Sequence, residues 1–141
     1  LTPTAGRLTG IELGGELVVR AIDEVSILAV LATQAHGRTV IRDAKELRVK
    51  ECDRLAVTAT MLTSMGARVE ERPDGLIIDG PTRLRPAEIE PHHDHRIAMA
   101  GAVAGLVAEG GVPTVIRGAD CAAVSYPGFW DDLGRVTGAV E

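Results

Sequence analysis

The sequence predicts a mixed α/β (α+β) fold built from βαβαββ units, with helices inside and strands outside. Three observations carry this. Thr39-Val40-Ile41-Arg42-Asp43-Ala44 returns as Thr114-Val115-Ile116-Arg117-Gly118-Ala119, a shift of 75 with five identities in six, which points to internal duplication. The segments 21–36 and 95–109 are apolar almost all round, the pattern of buried helices rather than surface ones. Pro73-Asp74-Gly75 is a turn signal between two short strand-like runs, which reads as a hairpin.

Taken in order, Gly10–Leu13 is the first strand, followed by helix 21–36 and strand Arg38–Arg42. Helix 50–65 comes next and is closed by Gly66; Gly37 and Gly110-Gly111 stop the two apolar helices in the same way. Arg68–Glu71 and Leu76–Asp79 form the hairpin. The second unit gives strand 87–90, helix 95–109, strand 113–117 and a last helix near 127–137. Upstream, Leu8–Leu13 loosely matches Leu84–Ile89 at a shift of 76. One unit, 8–80, is complete, and a second, 84–141, lacks its final pair of strands. That incompleteness predicts that residues 1–141 are a single fragment of a longer chain, which supplies the missing strands. Ala98, Ala100, Gly101, Ala102, Ala104 and Gly105 leave room for neighbouring helix backbones to approach.

Composition narrows the function. Of the 141 residues, 45% are hydrophobic and 25% charged, as in ordinary globular proteins. Aromatics make up 2%, so the core is built from Ala, Val, Leu and Ile, and Tyr126, Phe129 and Trp130 form one local cluster. A net charge of −5 argues against a nucleic-acid surface. The longest apolar run, Ile97 to Ala108, is 12 residues, shorter than the roughly 20 that span a bilayer. Cys52 and Cys121 have no metal-type spacing and suggest a reducing, cytoplasmic compartment.

Chemistry concentrates at three helix starts. Glu46-Leu47-Arg48-Val49-Lys50-Glu51-Cys52-Asp53-Arg54 is a mixed charge cluster before a helix, where free N–H groups and the helix dipole favour an anion. Lys50 and Arg54 are four apart and so share one helix face. Asp23 and Glu24 open the first apolar helix. Taken alone they complement the helix dipole; beside a substrate hydroxyl, either can accept a proton. His92-His93-Asp94-His95-Arg96 opens the other. Its histidines are adjacent rather than spaced on one face, so no metal is assigned, and Asp94 reads as the N-cap. If the units stack in parallel, Asp23, Lys50/Glu51/Arg54 and His95/Arg96 converge in one polar pocket. Such a pocket suits one or two anionic ligands with acid–base transfer between them. No nucleotide loop, nucleophile elbow or zinc motif is present, and no cofactor is called for.

The sequence resembles 5-enolpyruvylshikimate-3-phosphate synthase. The resemblance rests on Leu47–Arg54, Asp94-His95-Arg96-Ile97-Ala98-Met99-Ala100, Ile22-Asp23-Glu24 and Ser125-Tyr126-Pro127-Gly128-Phe129, in family order and spacing. It implies the inside-out α/β barrel of the enolpyruvyl transferases, with two domains of three βαβαββ units each. This chain corresponds to about the last third, part of one domain. It also implies transfer of the enolpyruvyl group of phosphoenolpyruvate to the 5-hydroxyl of shikimate 3-phosphate, with release of phosphate. The route is addition and elimination through a tetrahedral intermediate.

By the same resemblance Asp23 binds the 5-hydroxyl and acts as base. Glu51 protonates the methylene carbon and later takes a proton back. Lys50 lies between the substrates. Arg54 and Arg96 hold the carboxylate and phosphate of phosphoenolpyruvate, and His95 supports them. The partner implied is the N-terminal portion of the same enzyme, and the fragment alone is expected to be inactive. Three positions depart from the family pattern. Cys52 replaces the usual serine or threonine, Val124 a lysine found in some members, and Glu46 an asparagine found in some members. The alternatives are the sibling that uses UDP-N-acetylglucosamine and a non-catalytic anion-binding module of the same fold. Two acids beside the cations oppose simple anion binding and favour catalysis.

Overall fold

The computed structural model describes residues 6–138. A short strand β1 (Glu12–Leu13) leads into helix α1 (Glu16–Arg20) and a 3-10 turn (Ile22–Glu24), then helix α2 (Val25–Gln34) and strand β2 (Gly37–Ile41). A second 3-10 turn (Lys45–Val49) precedes helix α3 (Arg54–Ser64) and the hairpin β3 (Arg68–Arg72) and β4 (Gly75–Gly80). Strand β5 (Glu88–Ile89), helix α4 (His95–Val107) and strand β6 (Val115–Ile116) follow. A third 3-10 turn (Ala119–Val124) and helix α5 (Phe129–Thr137) complete the order.

Four strands form one sheet in the order β1-β2-β4-β3, with β1 parallel to β2 and the other pairs antiparallel. Arg72 faces Gly75, so Pro73-Asp74 is a two-residue hairpin loop. A Cβ at Gly75 would overlap the carbonyl oxygen of Ile41, and only glycine lets these strands come so close. Strands β5 and β6 form a separate parallel pair. On β2 and β4, Thr39, Ile41, Leu76 and Ile78 point into the core, while Arg38 and Asp79 are paired at 2.8 Å on the other face.

Helices α2 and α3 pack against the four-stranded sheet, and α4 packs against α2, α3 and β6. Leu55, Leu62, Met65, Leu76, Ile78, Leu84 and Ile97 are fully buried between these layers. Helix α4 approaches the small sheet through glycines. A Cβ at Gly101 would come within 3.0 Å of Ile89 Cδ1, and one at Gly105 within 3.0 Å of Thr114 Cβ. A buried hydroxyl pair, Ser26 and Thr58 at 3.0 Å, links α2 to α3.

Several expectations need correction. Residues 21–36 are not one helix; the 3-10 turn carries Asp23 and Glu24, and α2 begins after it. Helix α1 had no assigned element, because one turn rich in β-branched residues has no helical signature. Helix α3 begins at Arg54, since Asp53 caps it through the Ala56 N–H at 3.0 Å; Lys50 is extended and shares no helix face with Arg54. Gly66, in the left-handed region, closes α3 as expected, but α2 and α4 end at extended Ala35 and Ala108, ahead of their glycines. Strand 113–117 shrinks to two residues.

Candidate functional site

The site is assembled where the Ile22–Glu24 turn, the segment before α3 and the start of α4 meet. Arg54 is the hub. As the first residue of α3, it has a side chain only 3% exposed, yet it meets three carboxylates. Nε donates to Asp94 Oδ2 at 2.6 Å, Nη1 to Asp23 Oδ1 at 2.9 Å and Nη2 to Glu51 Oε2 at 2.5 Å. Burial by itself would lower the guanidinium pKa. The bond and charge of Asp94, with Glu51 and Asp23, outweigh it and hold the pKa above its ordinary value.

The remaining candidates gather around this hub. His95 Nδ1 lies 3.9 Å from Glu51 Oε1, and Arg96 Nη2 lies 3.9 Å from Asp23 Oδ2. Arg96 also pairs with Glu24 at 3.1 Å. Lys50 stands beside the cluster with its ammonium on Glu46 at 2.6 Å. That bond, helped by the charges of Glu46 and Asp23, raises its pKa against the opposing effects of burial and of Arg54. The structure thus brings Asp23, Glu51, Arg54, His95 and Arg96 into one contiguous group, with Lys50 at its rim.

Exposure divides the acids into two kinds. Asp23 and Glu51 are 47% and 45% exposed, whereas Asp94 is fully buried. The former can exchange partners with a ligand, and the latter cannot do so without unfolding its surroundings. The capping carboxylates take up part of each helix start. Asp53 takes the Ala56 N–H of α3, and Asp94 takes the N–H groups of Arg96 and Ile97 on α4 at 2.9 and 3.4 Å. An anion bound here meets these side chains together with the remaining first-turn N–H groups of α3 and α4.

Three sets of contacts in and beside the site have no sequence signal. Asp94 reads as a cap, but its bond to Arg54 spans forty residues. Cys52 Sγ donates to Asp94 Oδ2 at 3.5 Å, and burial, then the charge and bond of Asp94, pushes its thiol up to about 12. Arg48 is a latch outside the cluster. It donates to the Pro73 and Arg72 carbonyls at 2.9 and 2.6 Å and to Asp53 and Glu71 at 2.8 Å each, fixing the hairpin tip to the cap of α3. His92 and His93 adopt left-handed backbone in an exposed turn, and Val124 is exposed.

Comparison with known proteins bears on the identity of this arrangement. A 3-phosphoshikimate 1-carboxyvinyltransferase of Pelotomaculum thermopropionicum is 58% identical over 131 residues, covering 93% of this chain and 30% of the relative. That of Salinibacter ruber is 55% identical over 138 residues, covering 97% and 32%. A solved EPSP synthase from Acinetobacter baumannii superposes with a TM-score of 0.85 at 41% identity, covering 92% of this chain and 30% of that one. The chain therefore spans about a third of the length of the relatives it matches. The family model described as EPSP synthase (3-phosphoshikimate 1-carboxyvinyltransferase) matches residues 3–133, and with these relatives it shows that the chain belongs to the EPSP synthase family.

Proposed function

We propose that this chain supplies the acid–base machinery of an enzyme that transfers the enolpyruvyl group of phosphoenolpyruvate to the 5-hydroxyl of shikimate 3-phosphate. The observation that carries the reading is the meeting of two half-exposed carboxylates, Asp23 and Glu51, on one buried cation, Arg54. A site that only bound anions would gain nothing from those acids.

In the addition step, Asp23 accepts the proton of the 5-hydroxyl as its oxygen bonds to C2 of phosphoenolpyruvate, while Glu51 delivers a proton to the methylene carbon. In the elimination step, the Glu51 carboxylate takes a proton back from the new methyl group, the double bond re-forms and phosphate leaves. The carboxylate of phosphoenolpyruvate takes the Nη edge of Arg54, which Asp23 and Glu51 occupy between them, and Arg96 holds the phosphate. His95, beside Glu51, steadies that acid, and Lys50 reaches between the substrates from the rim. The chain is part of one domain, made of a complete βαβαββ unit over 8–80 and a partial unit over 84–141. The rest of a cytoplasmic enzyme completes both substrate sites.

The test is phosphate release by a chimera in which these residues replace their counterpart in the Salinibacter ruber relative. Release with shikimate 3-phosphate, lost in Glu51→Gln, is the expected result. Release only with UDP-N-acetylglucosamine, or with neither acceptor, overturns the reading. The 141-residue chain alone is expected to release no more phosphate than its own Glu51→Gln variant.

A further inference from the structure

Asp94 is placed to do more than cap a helix. Its Oδ1 accepts the Arg96 and Ile97 N–H groups at the start of α4, and its Oδ2 accepts Arg54 Nε at 2.6 Å and the Cys52 thiol at 3.5 Å. One fully buried carboxylate therefore ties the first residue of α3 to the first turn of α4. With Nε held from behind, Nη1 and Nη2 of Arg54 point outward at the half-exposed Asp23 and Glu51. The Nε bond narrows the orientations open to the planar guanidinium and leaves both Nη groups facing the acids.

We propose that Asp94, supported by the Cys52 S–H, is the positioning residue that sets the Arg54 guanidinium so that its outer Nη edge meets the substrate carboxylate. The inference rests on the reading that Arg54 holds phosphoenolpyruvate. It separates from simple capping through one substitution, because asparagine caps helices as well as aspartate but brings no charge to Arg54.

The experiment measures KM for each substrate in the chimera and in its Asp94→Asn, Cys52→Ser and Cys52→Ala variants. For Asp94→Asn, KM for phosphoenolpyruvate is expected to rise about tenfold or more, the loss of a charge-assisted bond, with KM for shikimate 3-phosphate little changed. Cys52→Ser, which keeps a donor, should match the unsubstituted protein, and Cys52→Ala should raise KM for phosphoenolpyruvate alone. An unchanged KM for phosphoenolpyruvate in Asp94→Asn, or a parallel rise of both KM values, overturns the proposal. If Asp94→Asn does not fold, identical behaviour of Cys52→Ser and Cys52→Ala overturns it.

If the unsubstituted chimera releases no phosphate, the functional reading fails on its own account. The Arg54 Nε–H signal in NMR then decides the positioning. Slow exchange with solvent in the unsubstituted protein, quickened in Asp94→Asn or Cys52→Ala, is expected, and fast exchange throughout overturns it.

Discussion

Arg54 and Asp94 form an ion pair at 2.6 Å with almost no exposure on either side, joining the starts of two helices. Burying both charges is costly, and the pair persists because each group has further hydrogen-bond partners. Breaking it from the Asp94 side leaves Arg54 with only its half-exposed partners and α4 without a cap. Asp94→Ala should therefore cost about 3–5 kcal/mol, and Asp94→Asn somewhat less, because it keeps the cap but not the charge. Urea unfolding of the chimera and the two variants checks the order.

Arg54→Lys tests the geometry rather than the charge. A lysine ammonium is a point donor at the end of a flexible stem and cannot span Asp94, Asp23 and Glu51 in one plane. Turnover should fall by about a hundredfold or more, with two charge-assisted bonds at stake. Near-normal turnover in steady-state assays would mean that the fork is not used.

Arg48→Ala should separate folding from chemistry. The side chain bonds two backbone carbonyls and two carboxylates, and none belongs to the Asp23–Glu51 group. We expect a loss of about 2 kcal/mol in stability, with both KM values little changed. A specific loss of substrate affinity would contradict this assignment.

The Cys52 thiol supplies a pH signature. Its folded-state pKa, pushed up to about 12, lies above the ordinary value of a free thiol, about 8.5. A raised pKa contributes stability that is complete below the unfolded value and lost as pH climbs through the folded one. Between about pH 9 and pH 12 the protein should therefore lose stability relative to Cys52→Ser, which does not titrate there. At pH 8 Cys52 should react slowly with iodoacetamide, because it remains a thiol. Rapid alkylation would contradict the burial.

Local signals made much of this legible in the sequence. The hairpin followed from Pro73-Asp74-Gly75 and the runs on either side, which need no distant partner. Asp23, Glu51, Arg54, His95 and Arg96 stood out because charges at the mouths of apolar segments are conspicuous, and the structure brings them together. What was hidden depended on the third dimension. Nothing near Asp94 announces that its second oxygen reaches α3, and nothing near Arg54 announces its burial. Strand ends were equally obscure, because pairing partners set strand length: β6 bonds only to β5 among the described residues, and both stop after two.

The glycines of α4 have a consequence beyond packing. Gly101 and Gly105 rest against Ile89 and Thr114 with no side chain between, so the helix behaves like a bolt seated in a slot. Arg96 sits at one end and Gly105 about 13 Å further along, at 1.5 Å per residue. A methyl group added at Gly105 would meet the Thr114 side chain at 3.0 Å, so that either the threonine gives way or the bolt shifts, and in the second case His95 and Arg96 travel with it. On the function proposed above, Gly105→Ala should therefore weaken substrate affinity from the far end of a helix that touches no substrate there, and an unchanged KM would show that the threonine had given way instead.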